Sequence, residues 1–407
     1  MKRFFKNIGP GTLVAAAFIG PGTVTVCTLA GVKFGFTLLW AMVLSIVATI
    51  VLQEMAARLG IVYGKGLAAT VKSEIKNPIV RSLAILLILT AILIGNAAYE
   101  AGNISGGVLG LGSILDSYYV SISGLELNAL SLLIGVIAFV VLYFGNYKMI
   151  ERFLIALVLL MSVSFLITAV LTRPDISEVI KRLFVPTFPE ESWLTIIALV
   201  GTTVVPYNLF LHASLVREKW ESTTHLKAAR MDTYVSILLG GLVSLSIIVC
   251  AAAVPTSDIS NAADLAIALE PLYGDYAVYL LSIGLFAAGI TSAITAPLAA
   301  AYVARECFGW EANLRSVKFR AVWIVILLLG VIFSSLSFSP IEVIRVAQVA
   351  NGLLLPIIAG FLLWIVNRKN VLGSFVNSKF QNILGVIILL ASVFLGIMSL
   401  IKVYNSL

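Results

Sequence analysis

Apolar segments about as long as a bilayer is thick recur along the whole chain. A helix needs roughly 20 apolar residues to cross the hydrocarbon core, and eleven segments of this kind can be assigned. Hydrophobic residues make up 60% of the chain and charged residues 12%, with a mean hydropathy of +1.06. This composition excludes a water-soluble protein with a polar shell, and the sequence predicts an all-α integral membrane protein with one domain over residues 1–407. The segments are 9–32, 36–59, 82–112, 128–145, 153–172, 193–216, 231–254, 277–304, 320–338, 341–366 and 380–403.

Lysine and arginine are distributed unequally between the two sides that these segments define. The N-terminus and the ends of even-numbered segments hold 21 of the 27 basic residues, the opposite side holds five, and Arg345 lies near a membrane entry. Because basic residues accumulate in cytoplasmic loops, we expect the N-terminus in the cytoplasm and the C-terminus outside the plasma (inner) membrane. This asymmetry explains the net charge of +7 without nucleic acid binding.

Two of the predicted spans contain residues that interrupt a helix. The tripeptide Gly20-Pro21-Gly22 lies in the middle of the first segment, and Pro206 lies within the sixth. Relative to alanine, glycine destabilises a helix interior by about 1 kcal/mol and proline by about 3 kcal/mol. Each interruption falls in the first segment of a run of five segments. Because five is an odd number, the second run enters the membrane from the opposite face. The pattern therefore predicts a 5+5 inverted repeat with broken helices. The two runs are 9–172 and 193–366, and an extra helix follows at 380–403.

The interruptions place backbone polar groups in the membrane. The half-helix that begins at Gly22 and Thr23 presents N–H groups and a positive dipole end, and the half that ends near Ala17 leaves carbonyl groups unpaired. Such groups are tolerated in a membrane only where they line a cavity or are covered by protein. The alternative for Pro206 is a simple kink in a membrane helix.

Three stretches resemble the Nramp family of proton-coupled metal transporters. They are QEMAARLGIVYGKGLA (53–68) after the second span, VVPYNLFLHASLV (204–216) in the sixth and AQVANGLLLPIIAG (347–360) in the tenth. The resemblance covers most of the chain. It implies a secondary active transporter with eleven transmembrane helices and a leucine-transporter-type inverted repeat in which helices 1 and 6 are broken.

The chain departs from this family at the positions of the metal ligands. Family members read Asp-Pro-Gly-Asn where this chain has GPGT at 20–23, and Met-Pro-His where it has VPY at 205–207. The carboxylate, thioether and imidazole ligands that transition metals prefer are therefore replaced. The positions that remain are the carbonyls of Ala17 and Thr202, the hydroxyl of Thr23, and Gln348, which matches a family glutamine. The resemblance transfers the fold but not the metal ligands.

Without a carboxylate at the first break, the positive end of the half-helix can receive an anionic group. Carbonyl groups near Thr202 can accept hydrogen bonds from an ammonium group, so the sequence favours a small zwitterionic or carboxylate solute such as an amino acid. The alternatives are a divalent metal cation, manganese or magnesium, and a sensor that does not transport. No cofactor and no side-chain metal site are predicted. The candidate substrate-binding residues are Ala17, Gly20, Gly22, Thr23, Thr202, Val205, Tyr207 and Gln348.

Two ionisable residues within apolar segments are candidates for proton coupling. Glu100 lies deep in the third span and resembles an acid on the family's proton route, and His212 matches the family's second histidine in the sixth span. Ionisable groups at such depth are functional candidates by default, and histidine exchanges protons near neutral pH. The structural alternatives are a neutral, hydrogen-bonded Glu100 and a His212 that only packs.

Other functional classes fit the sequence less well. The chain has two histidines and three cysteines, and these form no nucleophile–base or metal cluster in the sequence, so we expect no enzyme. Paired helix breaks and the lack of a repeated filter argue against a channel. The expected partners are a small-molecule substrate, protons and the lipid bilayer. A monomer is compatible with the sequence, which leaves the oligomeric state open.

The unequal distribution of basic residues predicts the membrane topology. Single cysteines in the loop around Lys72 and in the loop around Asp264 should be labelled by impermeant reagents from opposite sides, the first from the cytoplasm. Labelling of both loops from one side would rule out the inverted repeat.

Overall fold

The computed structural model describes residues 19–406 except 117, 123, 146–147, 255–258, 312 and 337. Ala17 and the start of the first predicted segment lie outside these residues. The described chain is almost entirely helical. Its α-helices are α1 (Pro21–Phe34), α2 (Leu39–Tyr63), α3 (Leu67–Glu74), α4 (Pro78–Leu111), α5 (Ala129–Phe144), α6 (Lys148–Leu171), α7 (Ile176–Phe184), α8 (Trp193–Thr203), α9 (Pro206–Leu215), α10 (Leu226–Ala252), α11 (Ala262–Ala266), α12 (Glu270–Tyr273), α13 (Ala277–Phe308), α14 (Val317–Ser334), α15 (Pro340–Val366), α16 (Lys369–Leu372) and α17 (Lys379–Ser406).

Nine helical stretches within the described residues are long and apolar enough to cross a membrane. They correspond to nine of the eleven predicted segments. Of the other two, 9–32 is described only from residue 19, and 128–145 forms α5, an apolar helix of 16 residues. The helical membrane architecture is therefore as predicted, while the count of eleven spans stays a prediction.

A short hairpin departs from the all-α prediction. Strand β1 (Tyr119–Ile122) pairs antiparallel with β2 (Leu125–Asn128), and Gly124 in the turn has a φ of +84°, which glycine adopts without steric cost. The hairpin connects α4 to α5, and the Asn128 side chain at its end accepts hydrogen bonds from the first backbone N–H groups of α5. Sequence analysis missed it because the strands are only four residues each and lie almost entirely between two predicted apolar segments.

The sixth apolar segment is divided between two helices. Helix α8 ends at Thr203 and α9 begins at Pro206, with Val204 and Val205 in non-helical conformations between them. Proline suits the first position of a helix because its missing N–H has no intrahelical partner there. The same arrangement opens α1, where Gly20 has extended backbone angles and Pro21 is the first helical residue.

Glycines bring the helices around these breaks into backbone contact. Pro21 packs against Gly106 of α4, where an added Cβ would lie 2.0 Å from the proline Cβ. Gly201 of α8 faces α15, where an added Cβ would lie 1.9 Å from the carbonyl oxygen of Gln348. Small residues at such crossings allow helix backbones to approach closely in membranes. Helices α1, α8 and α15 therefore meet in one tightly packed region.

A buried ionic cluster joins helices at one end of the molecule. Arg58 of α2 is 1% exposed and pairs with Glu54, four residues earlier, at 3.0 Å between Nη2 and Oε2. Arg230 of α10 pairs with the same carboxylate at 2.7 Å, and Arg58 also donates to the Asn377 Oδ1. A buried ion pair needs such additional partners to offset its desolvation. The cluster links α2 to α10 and to the segment before α17.

The close contact at Gly201 predicts a large effect of a single methyl group. Gly201→Ala should destabilise the protein by about 1–3 kcal/mol, the usual cost of overpacking, because the obstructing atom is backbone and cannot rotate away. Gly360→Ala in α15 is the matched control, since its added Cβ would meet only Leu389 Cδ1 at 3.9 Å. Thermal unfolding in detergent should show a lower midpoint for the first variant alone. Equal midpoints would contradict this packing.

Candidate functional site

The start of α1 and the end of α8 meet through a pair of threonines. The Thr23 Oγ1 in the first turn of α1 lies 2.9 Å from the Thr202 Oγ1 in the last turn of α8, although the residues are 179 positions apart. Both residues are 1% exposed. The structure thus brings together two predicted substrate-binding residues and encloses them.

Gln348 of α15 completes this contact from a third helix. An added Cβ on Gly22 would lie 2.2 Å from the Gln348 Nε2, so the carboxamide lies directly on the backbone of the first break. The Gln348 Oε1 is buried and has no hydrogen-bond partner among the described residues. Buried acceptors are rarely left unpaired, so this oxygen is a candidate ligand position. We call Thr23, Thr202 and Gln348 the neutral oxygen cluster.

Val205 and Tyr207 lie at the start of α9. Val205 is 1% exposed and is the N-cap residue of the helix, where its side chain offers no ligand atom. The Tyr207 ring packs edge-on against Tyr99 of α4, with 5.4 Å between centroids. The Tyr207 hydroxyl is buried beside Tyr99. Val205 therefore contributes through the backbone alone, and Tyr207 contributes a buried hydroxyl.

The helix ends add backbone groups to this region. The carbonyls of Gly201, Thr202 and Thr203 belong to the last turn of α8, where no following helical N–H reaches them. At the first break, Gly20 is the N-cap of α1. The prediction that an anionic substrate reaches the Gly22 backbone meets an obstacle, because the Gln348 side chain occupies that space.

The site offers neutral oxygen atoms and little else. Within the described residues, no group of three or more His, Cys, Asp or Glu side chains is placed to hold a metal ion. The possible ligands are hydroxyl, carboxamide and carbonyl oxygens, which suit hard cations such as Mg²⁺ and Mn²⁺ more than the softer transition metals.

Glu100 lies on α4 and is fully buried. Its Oε2 accepts a hydrogen bond from the Asn103 Nδ2 at 3.3 Å, and its Oε1 has no partner among the described residues. An added Cβ on Gly330 of α14 would lie 2.4 Å from the Glu100 Cγ. The Glu100 side chain on α4 is therefore packed against α14. The preceding residue, Tyr99, is the one whose ring contacts Tyr207.

His212 lies on α9 and is also buried, at 2% exposed. Its Nδ1–H donates to the Gln53 Oε1 of α2 at 2.8 Å, which leaves Nε2 as the acceptor nitrogen of the neutral ring. The structure thus pairs His212 with a residue that sequence analysis did not select. Gln53 could have been found as a rare amide within an apolar segment.

Other polar side chains near the predicted site residues were also missed as site candidates. Tyr99 forms the ring contact with Tyr207, and the Asn208 Oδ1 on α9 and the Asn351 Nδ2 on α15 are buried without partners among the described residues. Each is a polar group in an otherwise apolar helix, and that composition is the signal that could have identified it.

Comparisons with known proteins agree with this architecture. A family model described as natural resistance-associated macrophage protein-like matches residues 11–402. The chain is 26% identical to the divalent metal cation transporter MntH of Caldanaerobacter subterraneus subsp. tengcongensis, with 95% of this chain and 91% of that protein covered. It is 25% identical to MntH of Yersinia pestis strain Pestoides F, with 97% and 94% covered.

Solved structures give the same fold. The Eremococcus coleocola manganese transporter, in complex with an aromatic bis-isothiourea substituted compound, superimposes with a TM-score of 0.76 at 20% identity and covers 97% of this chain and 87% of its own. Mhp1, a nucleobase-cation-symport-1 family transporter, has a TM-score of 0.53 at 15% identity, with 95% and 92% covered.

The family match and the similarity to membrane transporters over most of the chain identify an integral membrane transporter and not an enzyme. The match over nearly the whole length establishes more than the class: the chain belongs to the Nramp family, as the sequence motifs predict.

The threonine pair predicts a measurable coupling between α1 and α8. In a double-mutant cycle of Thr23→Val and Thr202→Val, we expect a coupling energy of about 0.5–1.5 kcal/mol, the net value of a typical hydrogen bond. Unfolding free energies in detergent give the cycle. Thr49→Val combined with Thr202→Val is the control and should be additive, because the Thr49 Oγ1 donates within its own helix to the Ser45 carbonyl. Additivity in both cycles would contradict the contact.

Proposed function

We propose that this chain is a secondary active transporter that carries a hard divalent cation, Mg²⁺ or Mn²⁺, past the neutral oxygen cluster. The observation that carries the proposal is the 2.9 Å contact between Thr23 and Thr202, which places two hydroxyl oxygens where the helix ends meet. The unpaired Gln348 Oε1 supplies a third oxygen. The relatives named as divalent metal cation transporters support a metal as the substrate class.

The ligand chemistry favours weak, unselective binding of the metal. Oxygen ligands suit Mg²⁺, which usually retains several waters when bound to protein. Selection of Mn²⁺ over Mg²⁺ benefits from nitrogen or sulfur ligands, and the cluster has none. It also has no carboxylate to offset the dehydration of the ion. We therefore infer that Mn²⁺ is not bound with high affinity and has little advantage over Mg²⁺.

The amino-acid substrate favoured by the sequence lacks support. Carboxylate binding at the first break needs access to the Gly22 backbone, which the Gln348 carboxamide covers. The similar proteins are named as metal transporters, not as amino-acid transporters. The divalent-cation alternative is therefore the better account of this site.

The transport cycle proposed here rests on the leucine-transporter-type arrangement. We infer eleven spans, two inverted five-helix repeats, and a first span broken before Pro21 as the sixth is broken before Pro206. The N-terminus lies in the cytoplasm, as the basic loops indicate. Alternating access then exposes the cluster to each side of the membrane in turn.

Proton coupling is assigned to Glu100, with His212 as a second carrier. Among the described residues, Glu100 accepts a hydrogen bond from Asn103 at one carboxyl oxygen, and its other oxygen has no partner. A buried carboxyl group in this setting can gain or lose a proton when the helices around it move. Its neighbour Tyr99 contacts Tyr207 at the second break, which connects the proton site to the substrate region.

Uptake into proteoliposomes tests the proposed function. A pH gradient should drive accumulation of Mg²⁺ and Mn²⁺ to similar extents, because neutral oxygens discriminate poorly between them, and a set of neutral amino acids should neither accumulate nor compete. The triple variant Gly20→Asp, Thr23→Asn, Val205→Met restores the family pattern and should raise the affinity for Mn²⁺ more than that for Mg²⁺.

Glu100→Gln should abolish the pH-driven component and spare metal binding measured by thermal shift. Glu126→Gln, on the exposed hairpin, is the matched control and should transport normally. Amino-acid uptake without metal uptake would overturn the substrate assignment. The absence of any flux would favour a sensor, and pH-driven uptake by Glu100→Gln would overturn the coupling assignment.

A further inference from the structure

Helix α7 carries an apolar face that the rest of the protein covers only in part. Val179 and Leu183 are half-buried and pack against the core. Ile176, Ile180 and Phe184, spaced by four residues, are 68%, 53% and 75% exposed. At about 100° per residue, these five side chains form one continuous arc. The helix therefore rests on the protein along one edge of its apolar face and leaves the other edge open.

The opposite face of α7 is charged. Glu178 accepts a hydrogen bond from the Arg182 Nε at 2.6 Å, and the Arg182 Nη1 donates to the Thr187 Oγ1 at 3.2 Å. The Lys181 Nζ lies 3.9 Å from the Oε2 of the same Glu178, and the Lys181 side chain is 60% exposed. A short helix with an apolar face on one side and basic residues on the other is typical of segments that lie in a membrane surface.

The chain turns sharply where it leaves the preceding membrane helix. Arg173 has a φ of +46°, a left-handed conformation that is uncommon outside glycine. The Asp175 side chain then caps α7 by accepting hydrogen bonds from the Ser177 and Glu178 N–H groups. In the last turn of α6, Val170 is 75% exposed. The exposed apolar surface at the end of α6 is thus followed, within a few residues of the chain, by the exposed apolar surface of α7.

The segment after α7 contacts a cluster of aromatic side chains. The Trp40 Nε1 donates to the Thr187 carbonyl at 3.1 Å. The Phe188 ring lies 4.8 Å from the Trp40 ring and stacks on Trp193 at 5.2 Å. Tryptophan is enriched at the boundary between lipid and water, so this cluster indicates that α7 lies near interfacial depth.

We propose that α7 is an interfacial helix that binds the lipid surface, with Ile176, Ile180 and Phe184 inserted at the boundary between headgroups and acyl chains. Lys181 faces outward, where it can pair with lipid phosphates. The occupant of the open face is therefore the bilayer itself. Residues 185–192 connect α7 to α8, the helix that contains Thr202. Insertion of α7 in the lipid surface therefore also anchors this connection to the membrane.

Site-directed spin labelling tests this assignment in the full chain. The buried cysteines Cys27, Cys250 and Cys307 are replaced by alanine, and single cysteines are introduced as Ile180→Cys, Phe184→Cys and, on the charged face, Lys181→Cys. In nanodiscs of phosphatidylethanolamine and phosphatidylglycerol, labels at 180 and 184 should be accessible to oxygen and protected from a water-soluble nickel chelate. The label at 181 should show the opposite preference.

Two results would overturn the assignment. Equal access of the nickel chelate to all three labels would mean that α7 stands in water. Spin–spin broadening at position 184 that disappears on dilution with unlabelled protein would mean that a second copy of the chain covers the face. Neither result bears on metal uptake, so the failure of this inference is distinguishable from the failure of the proposed function.

Discussion

The backbone contact around Gln348 is the constraint on which the site depends. Its carboxamide lies on Gly22 and its carbonyl oxygen lies against Gly201, so α15 touches both helix ends at one residue. Glycine is required at position 201, where a Cβ would meet the Gln348 backbone, and at position 22 a Cβ would displace the Gln348 carboxamide. This packing holds Thr23 beside Thr202 and covers the polar ends of two helices with protein, a setting in which non-helical backbone is tolerated inside a membrane.

The replacement of charged and soft ligands distinguishes this chain from the family pattern that its motifs resemble. Hydroxyl, carboxamide and carbonyl oxygens meet where that pattern has carboxylate, thioether and imidazole groups. A neutral site binds a divalent ion mainly by exchanging some of its waters for other oxygens, so affinity and selectivity are both expected to be low. The fold is retained because the glycine and proline positions that shape the breaks do not depend on the ligands.

The ionisable groups lie around the cluster rather than in it. Glu100 is packed against α14, His212 is hydrogen-bonded to Gln53 of α2, and Glu54 of α2 pairs with Arg230 of α10. Each of these contacts joins two different helices. A change in protonation or pairing at any of these groups would therefore act on the relative position of two helices.

The sequence by itself determined the membrane class, the family and most of the segment boundaries, because apolar length and helix-breaking residues are local properties of the chain. It also predicted interruptions at Pro21 and Pro206, the residues at which α1 and α9 begin. Only the tertiary structure decided that Thr23 meets Thr202 and that His212 meets Gln53, across 179 and 159 residues. It likewise decided that Gln348 covers Gly22. Such contacts depend on which helix faces adjoin, and no local pattern contains that information.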